Sequence, residues 1–171
     1  MASIEDVRSL EKDVQKSWLW EVEINNALTS IFPDEDITLY AQEVQLPEQS
    51  VEQIALNHKG IATYFRGRDA SDHTLTITFF DSEKMEVYSY FKLWLDIFIQ
   101  NAISGGGFNK ELYTSTINVR TQEANEESET AEWKFTLAWP MELGSVNLSY
   151  DSEEAFTFEV TFSFDGFLYG N

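Results

Sequence analysis

From Phe156 to Phe164 the chain reads FTFEVTFSF, with an apolar side chain at every second position. Successive side chains of a strand point to opposite faces, so Phe156, Phe158, Val160, Phe162 and Phe164 form one face of an extended segment. Thr157, Glu159, Thr161 and Ser163 form the other. Nine such residues span roughly 30 Å, longer than an ordinary strand. The chain must therefore build a sheet with one buried and one polar face. That polar face looks at bulk water, at another subunit, or at something that passes by, and alternation alone leaves all three open.

The same period of two recurs. In residues 17–25, Trp18, Trp20, Val22 and Ile24 alternate with Leu19, Glu21 and Glu23, and residues 37–47 read as a strand ended by Pro47, which has no N–H to donate. Residues 49–68 predict two extended runs around a turn at Asn57-His58-Lys59-Gly60, since Asn and Gly tolerate left-handed geometry. Residues 72–80 set Leu75, Ile77 and Phe79 against Thr74, Thr76 and Thr78, and further strands are predicted at 111–120, 132–140 and 144–150. The period changes once. Val87, Phe91, Trp94 and Phe98, widened by Tyr90 and Leu95, form a helical stripe. This predicts a helix over about 82–103, with Asp81 or Ser82 as N-cap, Glu83 and Glu86 in its first turn, and Gly105–Gly107 as its stop.

Residues 1–17 read as an N-terminal arm or short helix through Ile4, Val7, Leu10 and Val14, residues 32–36 as a turn, and 121–132, with five glutamates, as a solvated loop. The expected fold is mainly β: an antiparallel β-barrel or sandwich of about eight strands with one packed helix. The expected layout is an arm at 1–17, one domain at 18–167 and a short tail at 168–171.

Catalysis finds little support. The chain has two histidines, His58 in the predicted turn and His73 at a strand start, and no cysteine. A zinc site would have to borrow carboxylates, and the acids Asp34, Glu35 and Asp36 lack the spaced oxygens and central Gly of a calcium loop. The triple glycine follows a helix where a phosphate cradle would precede one. No enzyme activity, metal or cofactor is expected. The charged N-terminus has no signal-peptide core, and nowhere do eighteen apolar residues run together, so no secretory address and no membrane span are expected.

Charge is the other strong constraint. Thirty acids face 11 bases, a formal net charge of −19. Such a surface repels polyanions. It serves solubility, or it touches DNA without holding it; composition admits both. The polar faces Thr74/Thr76/Thr78 and Thr157/Glu159/Thr161, with Gln42 and Glu43, carry almost no lysine or arginine, as suits a wall along which a polyanion slides.

The order of several short segments resembles the tail tube proteins of contractile-tailed bacteriophages, a fold related to the inner tubes of type VI secretion and phage-like injection particles. The segments are Trp139-Pro140, Gly144, Leu148, Asp151-Ser152 and Thr157-Phe158-Glu159-Val160-Thr161, preceded by WEVEI at 20–24, AQEVQLPEQSVEQI at 41–54, DHTLTITFFDSE at 72–83 and FKLWLD at 91–96. The resemblance spans about residues 18–166. It implies homohexameric rings stacked into a tube, with sheath protein outside, and baseplate and tail-terminator proteins at the ends. The tape-measure protein and transiting double-stranded DNA would lie inside, bound without sequence specificity. It also implies a place in the virion tail after assembly in the host cytoplasm. The alternatives are a baseplate tube initiator, an inner-tube protein of a contractile injection system, or, from another class, a monomeric ligand-binding barrel. The expected contact residues between rings or subunits are Glu48, Glu52, His58 and Lys59, and the expected lumen or interface face is Thr157, Glu159 and Thr161.

Overall fold

The computed structural model describes residues 17, 19–25, 37–104, 110–122, 129–146 and 155–170. The expected arm before Ser17, the turn at 32–36, the glycine stop, the centre of the glutamate-rich loop and residues 147–150 lie outside the described residues. Nine strands are described: β1 Trp20–Asn25, β2 Ala41–Gln45, β3 Val51–His58, β4 Ile61–Asp69, β5 Thr74–Phe80, β6 Ser115–Gln122, β7 Glu129–Leu143, β8 Thr157–Ser163 and β9 Gly166–Gly170. With them are helices α1, Glu86–Ser104, and α2, Lys110–Tyr113.

Seven strands form one antiparallel path, β1-β6-β7-β8-β5-β2, with β9 beside β7. The path folds at β7 into two layers. The first half of β7 lies between β6 and β9, with Val119 opposite Trp133 and Phe135 opposite Phe167. Its second half pairs with β8, with Pro140 opposite Phe162. A fifteen-residue strand would run roughly 50 Å if straight. This one bends at Leu137, whose φ of 54° is the left-handed value a bulge requires. Burial records the slip: Phe135 is buried on one parity, Ala138 and Pro140 on the other. The result is a sandwich whose layers share β7, and among the described residues the sheet does not close into a barrel. Among the described residues no further strand pairs with its ends, β1 and β2.

The core fills the space between the layers. Leu75, Ile77 and Phe79 of β5 and Phe158, Val160 and Phe162 of β8 are buried, and Val87, Tyr90, Phe91 and Trp94 of α1 pack over them. Phe91 lies 4.8 Å from Phe79 and 5.8 Å from Phe162, ring centre to ring centre. Trp94 satisfies its indole N–H by donating to the Tyr113 carbonyl at 3.0 Å. Each such side chain contributes about 1.5–3 kcal/mol on burial.

Several local expectations are corrected. Residues 37–40 form a turn of 3-10 helix, so the strand begins at Ala41; residues 111–113 belong to α2, and β6 begins at Ser115. Helix α1 starts at Glu86, after a turn in which Met85 has φ 54°. Asp81 still caps it, but from a distance: its carboxylate accepts from the amides of Val87 at 3.1 Å and Tyr88 at 2.8 Å. The Ser82 hydroxyl donates to Glu86 and caps no helix amide, and Glu83 precedes the first turn. Strands β6 and β7 extend into both ends of the glutamate-rich segment, residues 144–146 are not strand, and β9 carries the sheet through the residues assigned above to a tail.

Candidate assembly surfaces

Among the described residues, the hairpin β3-β4 pairs with no other strand. The sequence places its turn well: His58 pairs with Ile61, and Lys59 and Gly60 take φ of 49° and 81°, the two positive values of a tight two-residue turn whose twist matches the strands. At its root the pairing slips between Val51 and Gln53. Gly67 is required there, because a Cβ would meet the backbone oxygen of Glu52 at 2.8 Å.

This hairpin is amphipathic. The register puts Ile54, Leu56, His58, Ile61, Thr63 and Phe65 on one face and Gln53, Ala55, Asn57, Ala62, Tyr64 and Arg66 on the other. On the apolar face Ile54 is 55% exposed, Leu56 58%, Ile61 70% and Phe65 53%. A two-stranded hairpin is marginally stable alone, and an apolar sheet face left in water marks a contact site.

The four expected contact residues are not brought together. His58 and Lys59 stand at the hairpin tip, whereas Glu52 is at its root, roughly 20 Å along the strand. Glu48 lies just before the root, where its carbonyl accepts from the Asp72 amide at 3.1 Å. Between them lies the apolar face, which no expected contact residue marks although the spacing of Ile54, Leu56, Ile61 and Phe65 carries it.

The second surface is the outer face of β2, β5 and β8. Thr157, Glu159 and Thr161 do share it, opposite Phe80, Thr78 and Thr76, and the hydroxyls of Thr76 and Thr161 are 3.4 Å apart. Glu43 and Gln45 extend the face at one side, opposite Thr78 and Thr76, and Glu142 at the other, opposite Thr161. It holds no lysine or arginine. The outer face of the other layer differs, with Arg120 2.9 Å from Glu23 and 3.0 Å from Glu132, and with Lys134 beside them. Burial works to raise the Glu23 pKa, but hydrogen bonds from Asn118 and Asn25 and the Arg120 charge outweigh it and hold the carboxyl below its ordinary 4.5.

The two histidines are far from any nucleophilic arrangement: His58 is at the tip, and His73 lies edge-on to the Phe164 ring at 5.7 Å. Among the described residues no group of three potential metal ligands occurs, and no helix is long and apolar enough to cross a membrane. The interior a ligand-binding barrel would need is filled by Tyr90, Trp94, Phe79, Phe91, Phe135 and Phe162.

Among the described residues, the apolar face of the hairpin is exposed, the sheet ends at β1 and β2 have no further strand beside them, and the core is filled. The chain belongs to the phage tail tube protein family, whose model matches residues 16–169. Members of this family are structural tube proteins, not enzymes. The fold is similar to the sheath/tube terminator of the extracellular contractile injection system PVC in its extended state, with 16% identity, 95% of this chain and 100% of that chain covered, and a TM-score of 0.68. It is also similar to a chain of the PVC sheath-tube complex, with 14% identity, 99% of each chain covered and a TM-score of 0.64. A third similar structure is the tube terminating cap of the anti-feeding prophage, with 13% identity, 93% and 92% covered and a TM-score of 0.67. No significant match is found among curated protein sequences.

Proposed function

We propose that this chain is the repeating subunit of a phage tail tube, forming homohexameric rings that stack around a lumen through which double-stranded DNA passes and in which the tape-measure protein is held. Sheath protein lies outside, and baseplate and terminator proteins close the ends. The observation that carries this reading is the hairpin whose apolar face, with Ile54, Leu56, Ile61 and Phe65 more than half exposed, is uncovered among the described residues and is buried in this reading by another copy. The sheet ends at β1 and β2, unpaired by any further strand among the described residues, support it, because edge-to-edge pairing around a ring satisfies backbone groups left over at such edges.

The outer face of β2, β5 and β8 is the lumen wall in this reading. Glu43, Glu142 and Glu159 give it three carboxylates per copy, eighteen per ring of six, and no base to grip a phosphate. The long hydroxyl rows of Thr74, Thr76, Thr78, Thr157 and Thr161 keep it wet and smooth. DNA is thus repelled uniformly and slides. The apolar side of the same sheet is committed to α1, so only this side is free to face inward.

Glu159→Lys tests the assignment. Rods that still form but now retain DNA in a salt-sensitive way support a lumen position. Loss of rods would make the face a subunit interface, and rods with unchanged DNA behaviour would make it an outer, water-facing surface. A second reading, a tube initiator, a terminator or an injection-particle inner tube, shares this fold and is separated by copy number per particle.

A further inference from the structure

The outer face of β2, β5 and β8 is ordered in rows. Strand pairing lines up Glu43, Thr78 and Glu159 in one row, and Gln45, Thr76, Thr161 and Glu142 in the next. Glu43, Glu142 and Glu159 are exposed. Neighbouring strands lie about 4.8 Å apart, so Glu43 and Glu159 stand roughly 10 Å from each other, one on either side of β5. Among the described residues no lysine or arginine shares these rows with them.

The row beyond is different. Thr74, Thr76 and Thr78 lead on the same parity to Phe80, opposite Thr157, so a phenyl ring stands where the pattern of β5 calls for another hydroxyl. Phe80 is 37% exposed, and its ring lies 5.2 Å from that of Tyr40. The middle strand thus carries a track of threonines that ends at an aromatic step, with carboxylates on both flanks. A wall that only repels DNA has no use for the ring, because duplex bases are stacked on one another and the phosphates are turned away by the carboxylates.

Three properties of the face select another occupant. Carboxylates without bases favour a cationic partner. The threonine methyls and Phe80 favour apolar side chains. A sheet face, unlike a sheet edge, offers no backbone groups to pair with, so the occupant must satisfy its own. A basic amphipathic α-helix meets all three conditions, and its diameter of about 10–12 Å matches the gap between the flanking carboxylates.

We infer that this face holds a basic amphipathic helix of a second protein. The helix lies over β5, with its apolar stripe against the threonines and Phe80 and its basic side chains reaching Glu43 on one flank and Glu159 on the other. This rests on the lumen assignment above and names the chemistry of the protein that the lumen holds. Carboxylates that hold such a helix repel a polyanion, so one unchanged wall grips the protein and lets DNA pass.

The probe is a fluorescent leucine–lysine peptide with its leucines at helical spacing, compared with a scrambled peptide of the same composition. Anisotropy of the dispersed subunit should show tighter binding of the striped peptide. Phe80→Thr should weaken that binding roughly three- to sixfold, the share of a buried phenyl group that its exposure leaves to be covered. Glu43→Gln with Glu159→Gln, which leaves the core intact, should weaken it too and flatten its salt dependence. Leu168→Thr, at an apolar position 61% exposed on the other layer, should change nothing. Equal binding of the two peptides, or an equal loss from Leu168→Thr, overturns the inference. Rods assembled with the striped peptide should shield it from protease. Rods that leave it open to digestion overturn the inference and leave the tube reading intact, whereas absence of rods under every condition defeats the tube reading and this inference with it.

Discussion

The apolar face of the hairpin permits a quantitative prediction. Ile54→Thr with Leu56→Thr removes two adjacent apolar groups from β3 while retaining strand propensity. Fully burying one such side chain is worth about 1.5–3 kcal/mol. In the lone subunit Ile54 is 55% and Leu56 58% exposed, so more than half of that gain remains to be collected on assembly. Covering both then contributes about 2–3 kcal/mol per contact, which corresponds to a rise of roughly 30- to 150-fold in the concentration needed for assembly. The assay is sedimentation across a protein concentration series, paired with thermal melting of the dispersed subunit. The melting temperature should stay within about 2 °C of wild type, because neither side chain touches the buried core. An unchanged assembly threshold, or a large fall in melting temperature, would refute the reasoning.

Three further outcomes are expected. Asp81→Ala removes the acceptor for the Val87 and Tyr88 amides at the start of α1 and should cost about 1–2 kcal/mol, seen as a fall of roughly 3–8 °C in melting temperature. The depressed pKa of Glu23 contributes stability that is present above its ordinary value of 4.5 and is lost as pH falls through the lower folded value. Glu23→Gln should therefore lower the melting temperature at pH 7 and converge with wild type in acid; a constant difference across pH would count against the Arg120 cluster as its cause. Six copies carry a formal −114, from −19 each, so assembly should weaken at low ionic strength, where charges repel beyond the roughly 10 Å Debye length of 0.1 M salt. Sedimentation over a salt series checks this, and the reverse trend contradicts it.

Strand positions were legible because period two is a direct image of burial: Phe158, Val160 and Phe162 alternate in the sequence and are all buried in the sheet. The stripe of α1 was legible for the same reason, through Val87, Phe91 and Trp94. Its start was not. Asp81 is a capping residue by type, but its carboxylate reaches over a turn to amides six and seven positions on, and spacing rules look for a cap adjacent to the helix. The strand at 37–47 was drawn too long because Ile37 and Tyr40 pack on the core from a 3-10 turn, and burial without alternation does not distinguish the two.

The bend in β7 left a trace in the parity slip between Phe135 and Ala138, but only the fold shows that the slip carries the strand from one layer to the other. For the assembly surfaces the obstacle is more basic. Alternation in β3 and β8 names two faces and says nothing of what covers either. Ile54 and Val160 look alike in the sequence, yet one is half bare and the other buried, because α1 packs over β8 and, among the described residues, nothing packs over the apolar face of β3.

Under the proposed function, copies of the same chain complete this subunit. Electron microscopy of the purified protein at low and high concentration, with pre-formed baseplate added in parallel, tests it most directly. Six-fold rings or hollow rods are expected, rising in abundance with concentration or appearing on the added nucleus. Single small globules under every condition would contradict it.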